Sequence, residues 1–478
     1  MLAYDDPETP EKPQPFDDFN PFREQNLTVS FGFPLGITRN SLSIDGSRGD
    51  FYYAEGKSRS ILPAYYRGKA GLDSFIPLGD SAELRVGGSF MPMRSDEQTN
   101  SRGSLIRSDY IRADGYAEAA LVPFNRAMLT LRLYDNYYQR DKDTYSALID
   151  EWTSGENHEN ENLIALEAQG EYDGMENWLF TAGLEGAYNS MDKYNLRNGG
   201  TFAGVDKEAL FIQAERFREE VYSVLGGLRI ERSSQFGFAA APKISSMYHL
   251  PRGFRLLAGT GLGYRAPDFN DLYLVKDDTA TPGHPLVKGN PDLQPEYALG
   301  FNVALEYTKQ DLFFGQINVY YNELFNEIAY IDQHEVERGM EVYRTENISR
   351  SLRTGTDAEG RVSIFTHGFF SAGYSWLFAY DRTEGEELHL QPAHTVKMKL
   401  GLDHKGSRIN TWLGGRFFSP LYPDDSSYES RFILDFYFSI GLGTHFKVYT
   451  AINNLTGEID SLGPATAQSL TLGLNYVL

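Results

Sequence analysis

Three stretches of this chain carry side chains that could hold a ligand. Residues 266–293 contain Asp268, Asp271, Tyr273, Lys276, Asp277, Asp278 and His284. Residues 331–350 contain Asp332, His334, Glu335, Glu337 and Arg338, and residues 141–159 contain Asp150, Glu151, Trp152, Glu156 and His158. Carboxylates mixed with imidazoles suit a metal chelate, and Trp152 and Tyr273 could stack on a flat ligand. A solvated acidic rim with girdle aromatics is the alternative reading of the same residues. Arg265, at the edge of the first stretch, could pair with carboxylates of a solute or a second domain, or neutralise Asp268 or Asp271. Catalytic patterns are missing. HEVERG (334–339) lacks a second His four residues on, GTGLGYRA (259–266) runs into no helix pattern, and no Gly-x-Ser-x-Gly elbow occurs. The expectation is a protein that is not an enzyme and has no resident cofactor or metal.

Bulk composition narrows the class. With no Cys, disulfides and thiolate metal sites are excluded. A formal charge of −22 argues against a nucleic-acid surface. The chain has 31 Tyr, 31 Phe and 46 Gly but no apolar run approaching about 18 residues, which points to an all-β chain without a membrane-spanning helix. A mean hydropathy of −0.42 is compatible with a membrane barrel, because its strands alternate. A length of 478 residues suits two or three ordinary domains or one large barrel.

Strands must position the candidate residues, and period-two alternation supplies them. In AELRVGGSF, Leu84, Val86 and Phe90 oppose Glu83, Arg85, Gly87 and Ser89. At the end of the chain Leu470, Leu472, Leu474 and Tyr476 oppose Ser469, Thr471, Gly473 and Asn475. The polar faces carry charge and glycine at mid-strand, which suits a wet lumen better than the outside of a soluble sandwich. Connections such as PLGD (77–80), DGMEN (173–177) and HKGSR (404–408) are short. They alternate with long ones near 93–105, 141–159, 193–206, 266–293, 331–350, 383–391, 420–429 and 454–467, with RSSQ (232–235) the exception. Short turns at one rim and long loops at the other describe an outer-membrane barrel.

Counting on this basis gives an all-β, 22-stranded antiparallel transmembrane β-barrel over 26–478. Its strands begin near 26, 38, 50, 62, 81, 105, 127, 159, 177, 207, 220, 236, 253, 294, 312, 351, 369, 391, 407, 430, 444 and 468. An even count returns both ends to one rim and lets the first and last strands pair. Residues 1–25 hold seven acids, two bases and five prolines and read as a disordered acidic leader. A lumen of this width exceeds what wall side chains fill and calls for a plug.

The stretch GLGYRAPDFNDLY (261–273), followed by KGNPDLQPEYALGF (288–301), resembles the paired motif of TonB-dependent outer-membrane receptors. Arg265, Ala266 and Pro267 match the end of one strand. Gly289, Asn290, Pro291, Leu293, Pro295 and Glu296 match the segment that introduces the next. Residues 226–250, 319–331, 347–360, 391–404 and 448–460 follow in the family's order. The resemblance covers 205–478 closely and 26–204 by pattern. It implies an outer-membrane location in a Gram-negative-type bacterium, a monomer surrounded by outer-membrane lipid, and uptake of a scarce large solute. A ferric siderophore, a cobalamin-like cofactor or an oligosaccharide would be captured by the outer loops and moved by TonB acting on a plug. Only the acidic leader stands where the family has its TonB box and plug, so TonB and a plug supplied elsewhere are the expected partners, beside a small-molecule or chelate substrate. Leu478 stands where such barrels end in an aromatic, and GPATAQ (463–468) where the family shows Gly-Arg. A plugless open or loop-gated pore and a non-transporting surface-binding barrel are the alternatives. The expected ligand contacts are Trp152, His158, Arg265, Asp268, Asp271, Tyr273, His284 and His334. Pro267 and Pro291 offer no N–H to a ladder, so the motif also ends one strand, frees a loop and restarts the next.

Overall fold

Alternating strands joined by tight turns have one simple solution, a meander in which each strand pairs with the next. The computed structural model describes residues 24–476, apart from 51, 54–59, 99–104, 147–150, 197–199, 277–284, 311, 338, 384, 389–391, 405, 422–429, 444 and 458–467. Its wall strands open with β1 (Glu24–Leu35), β2 (Thr38–Gly49), β3 (Ala64–Pro77), β4 (Ala82–Gln98), β5 (Leu105–Phe124), β6 (Ala127–Ser146) and β7 (Glu151–Tyr172). They continue with β8 (Trp178–Leu196), β9 (Gly200–Arg218), β10 (Tyr222–Ser233), β11 (Gly237–Leu250), β12 (Phe254–Arg265), β13 (Glu296–Lys309) and β14 (Phe313–Glu337). The last are β15 (Met340–Ser363), β16 (Gly368–Asp381), β17 (His394–His404), β18 (Ile409–Phe418), β19 (Arg431–Leu442), β20 (Phe446–Asn453) and β21 (Ser469–Tyr476). Every consecutive pair is antiparallel, including β12 with β13 across the long motif segment.

Register carries one apolar row around the outside. Leu131 opposes Ala168, Ala168 opposes Leu184, Leu184 opposes Leu210, and Leu210 opposes Ile230. Leu184 is 61% exposed and Leu210 49%. A continuous exposed apolar belt of this kind is a liability in water and the lipid-facing band of a membrane barrel. The opposite face is polar and ion-paired. Arg132 bridges Glu118 at 2.7 Å and Glu167 at 3.1 Å, and Arg229 bridges Glu185 at 3.0 Å and Glu231 at 2.9 Å. At the short-turn rim the chain reverses on left-handed residues, among them Gly36, Arg126, Asn177 and Glu220, as tight hairpins of right-twisted strands require.

Three details depart from the sequence reading. The strand expected near residue 50 is not in the wall, because β2 pairs directly with β3. Tyr52 and Tyr53 pair instead with the short Ser60–Leu62 segment, inside an outer connection whose Tyr-Tyr pair imitates a strand. Second, the connections near 141–159, 193–206 and 331–350 are largely strand, since β6–β7, β8–β9 and β14–β15 continue as hairpins past the apolar band. Polar residues fall on both faces there, so the alternation that marks a strand is lost. Third, twenty-one wall strands lie among the described residues, β1 starting at the long-connection rim and β21 ending at the short-turn rim. The expected meeting of the chain ends at one rim is not seen among the described residues.

Candidate functional site at the outer mouth

Six of the best-buried side chains gather at the long-connection rim. Leu196, Leu272, Leu286, Leu293, Val342 and Thr345 are all 2% exposed or less. They belong to the segment after Arg265 and to the elements it touches.

Arg265 ends β12 and Glu296 begins β13, directly opposite in register. The guanidinium Nε and Nη2 donate to the Glu296 carboxylate at 2.6 and 2.9 Å, and Nη1 donates to Asp271 at 3.2 Å. Burial opposes ionisation of Glu296, but the Arg265 hydrogen bonds and the Ile328 N–H hold its pKa below the ordinary carboxylate value. Asp268 caps the short helix α1 (Phe269–Tyr273). The Asp271 N–H donates to Asp268 Oδ1 at 2.7 Å, and the Asp268 N–H donates back to Asp271 Oδ2 at 3.1 Å.

From α1 the chain turns inward. Phe269 packs with Met191, Leu196, Ala203 and Val205 at the outer end of β8–β9, and Tyr273 leans on the same cluster. Leu274 bridges to Leu196. Val275–Lys276 pairs with Leu286–Lys288, which runs parallel to Val342–Arg344 of β15. The segment is therefore a strap tied to β8–β9 on one side and to β15 on the other. Gly289 permits a close crossing, because a Cβ there would lie 2.6 Å from the Leu272 carbonyl carbon and the Tyr273 nitrogen. The Asn290 N–H donates to the Asp271 carbonyl at 2.9 Å, and the Thr345 hydroxyl donates to the same oxygen at 2.6 Å. Asn347 clasps the far end. Its Nδ2 donates to the Gln294 and Asn326 carbonyls, each at 2.9 Å, and its Oδ1 accepts the Gln294 N–H at 2.8 Å.

A cavity of about 280 Å³ lies between strap and wall, lined by Glu161, Lys207, Gln235, Asp268 and Asn270 among others. Lys193 Nζ donates to Asn270 Oδ1 at 3.0 Å across this junction. Burial, and then the charge of Glu159, raises the Glu161 pKa above its ordinary value. Glu161 sits beyond the apolar band, which on β7 ends at Ile164.

The remaining expected contacts stand elsewhere. Trp152 lies on β7, its ring tilted by 43° against Tyr145 at 5.3 Å and under the Arg107 guanidinium at 4.4 Å from the ring centroid. His158 Nδ1 lies 2.6 Å from Asp141 Oδ1. His334 is at a hairpin tip, 90% exposed, in a left-handed conformation and 3.3 Å from Asp332. His284 lies outside the described residues, as do Asp277 and Asp278 and residues 1–23 of the leader. The structure thus brings Arg265, Asp268, Asp271 and Tyr273 together in the strap and keeps Trp152, His158 and His334 apart from them. Among the described residues no three His, Asp or Glu side chains gather as a metal site. Sequence reasoning missed Gln235, Thr345 and Asn347. Gln235 holds the strap from the turn between β10 and β11, donating to the Leu293 carbonyl at 3.1 Å, and Thr345 and Asn347 hold it from β15; no local pattern announces them.

Three comparisons with known proteins bear on this arrangement. The family described as TonB dependent receptor-like, beta-barrel, matches residues 4–455. The iron-regulated outer membrane virulence protein of Vibrio cholerae serotype O1 is 21% identical over 284 residues, covering 56% of this chain and 43% of the relative. The vitamin B12 transporter BtuB of Photobacterium profundum is 28% identical over 105 residues, 22% of this chain and 15% of that protein. The chain spans less than half the length of these relatives. Among solved structures, a mutant of the ferric enterobactin receptor PfeA of Pseudomonas aeruginosa superposes with a TM-score of 0.79 at 13% identity, over 96% of this chain and 78% of the receptor. The siderophore receptor PirA of Acinetobacter baumannii gives 0.76 at 12% identity, over 95% of this chain and 77% of the receptor. At such identities these matches establish the fold.

Proposed function

The chain belongs to the TonB-dependent receptor-like β-barrel family, and from that premise we propose that it is the outer-membrane barrel of an uptake receptor for a scarce large solute, a ferric siderophore or a cobalamin-like ligand. It sits in the outer membrane of a Gram-negative bacterium and carries no enzymatic activity. The observation that supports this reading best is the strap, whose described residues are tied to β8–β9 and to β15 at the rim where long connections meet the outside. Solute is captured at this mouth and released inward by TonB acting on a plug domain. Trp152, His158 and His334 stand on hairpins above the rim, where a solute first meets the barrel. Arg265, Asp268, Asp271 and Tyr273 shape the strap that borders its path. The barrel works as a monomer in outer-membrane lipid.

The test is growth. Cells in which the gene for this chain is disrupted are grown with iron supplied only as defined ferric chelates, or with limiting cobalamin. Loss of growth on one chelate or on cobalamin, restored by the gene, is expected. Unchanged growth on every supplied solute contradicts the proposal.

A further inference from the structure

The outward, lipid-facing surface of β1–β5 is hollowed near the long-connection rim. Leu131, in the outward row, opposes Ala119 on β5, Ala119 opposes Leu84 on β4, and Leu84 opposes Ile76 on β3. Period two carries that outward face along β4 to Pro92 and Arg94, and along β3 to Gly68 and Tyr66. Gly46 and Arg48 of β2 oppose Gly68 and Tyr66, and Leu27 of β1 opposes Gly46. Leu27, Gly46, Gly68, Pro92 and Ile111 line an open groove of about 890 Å³ on this face.

Glycine makes the floor of the groove. A Cβ at Gly46 would meet nothing within 4 Å, and one at Gly68 would meet only Pro92, at 3.9 Å. The two facing glycines leave a trough between Leu27, which is 69% exposed, and Pro92 with Ile111. Polar groups stand at its outer end. Arg48, Tyr66 and Arg94 line the same groove and are cross-strand neighbours. The Arg48 guanidinium lies 6.0 Å from the Tyr66 ring centroid. Arg94 engages Asp109 through Nε and Nη2, and Arg48 engages Asp50 through Nη2, yet their side chains stay 54% and 44% exposed. Part of each guanidinium fork therefore faces outward.

Height on the wall fixes what surrounds the groove. On β1 the outward face is apolar from Leu35, at the short-turn rim, up to Leu27. That is the order of length a tilted strand needs to cross the bilayer core, about 9–11 residues. Arg48, Tyr66 and Arg94 lie one step beyond, at the headgroups of the outer leaflet, where tyrosine joins the interfacial belt. The trough below them has apolar walls inside the lipid band, so acyl chain fills it rather than water. At its head two guanidiniums flank one phenol within two strand spacings, about 10 Å. Guanidinium forks match phosphate oxygens, and the tyrosine hydroxyl supplies a further donor.

We propose that this groove is a lipid site on the outside of the barrel. One acyl chain of a phosphate-bearing lipid of the outer leaflet lies in the Gly46–Gly68 trough, and its phosphate is held by Arg48 and Arg94 over Tyr66. The inference rests on the placement of the apolar belt in the bilayer and not on uptake, so either reading can fail alone. Full-length chain purified in non-ionic detergent is titrated with dioleoylphosphatidic acid, or with dioleoylglycerol, which has the same chains and no phosphate. Binding is read by native mass spectrometry. Phosphatidic acid is expected to bind the more tightly. Arg48→Gln raises its Kd by roughly 5-fold, about 1 kcal/mol, and narrows the gap between the two lipids. Gly46→Leu, whose side chain has room in the trough, weakens both. Lys399→Gln, on the lumenal face over Trp412, changes neither. A circular-dichroism spectrum identical to wild type shows that each variant is folded. Equal binding of the two lipids by wild type, wild-type affinity in Arg48→Gln or in Gly46→Leu, or binding of neither lipid overturns the site. Displacement of phosphatidic acid by inorganic phosphate overturns it in favour of a free-anion site.

Discussion

Replacing Arg265 with alanine removes three hydrogen bonds at once, two to Glu296 and one to Asp271. The arginine side chain is 50% exposed, whereas its partners are 12% and 13% exposed. Exposed pairs contribute at most about 1 kcal/mol, and truncating one partner of a buried pair costs about 3–5 kcal/mol. A half-exposed cation serving two nearly buried carboxylates falls between, at about 2 kcal/mol, within the range of single hydrogen bonds to charged groups. At about 1.4 kcal/mol per decade, strap opening becomes roughly 30-fold more frequent. Amide hydrogen exchange at neutral pH reads this directly. The Leu272, Leu274, Gly289 and Asn290 N–H groups, all bonded within the strap, should lose about that factor of protection. Amides in β9 and β10 should not change. Because the Glu296 pKa is depressed in the folded state, the Arg265 contribution is present above the ordinary carboxylate pKa and lost as pH falls through the depressed one. The gap between wild type and Arg265→Ala should therefore close on acidification. Unchanged strap protection in the variant, or an equal loss throughout the wall, would refute the clasp.

Further outcomes follow from the same geometry. Gly289→Ala forces a Cβ to within 2.6 Å of the Leu272–Tyr273 peptide, so the strap should become protease-sensitive, with overpacking costing about 1–3 kcal/mol. Glu161 has a raised pKa beside Glu159 and Asp268, so strap docking is favoured at low pH and weakened as pH rises through that value. Glu161→Gln should protect the strap better than wild type at neutral pH, and the difference should vanish once Glu161 is protonated. Leu210→Arg, in the middle of the outward row, should destabilise the barrel by about 2–4 kcal/mol in urea titrations from lipid vesicles. A much smaller loss would place that row outside the bilayer.

Much of the wall is legible in the sequence because its physics is local. Alternation in AELRVGGSF or at Leu470–Tyr476 reports directly which face meets lipid and which meets the lumen, and turn lengths report the rim. The same logic misleads at Tyr52 and Tyr53, where two adjacent aromatics imitate a strand inside a connection. It falls silent between Tyr137 and His158, because a hairpin beyond the membrane has no apolar face to display. The site is half legible. Arg265 and Glu296 belong to the motif, and period two places Arg265 on the lumen side. The pairing of Arg265 with Asp271, six residues on, is one of the readings that the local sequence offers, whereas the grip of Thr345 and Asn347 on the strap depends on pairings that reach more than 50 residues along the chain. No window of sequence contains both ends of such contacts.

The most direct test of the account is accumulation of radiolabelled ferric chelates and cobalamin by cells with the gene for this chain deleted or restored, each with and without functional TonB. The account predicts saturable accumulation of one solute that requires both the gene and TonB. Accumulation that rises linearly with solute concentration and persists without TonB, or that is the same with and without the gene, would contradict it.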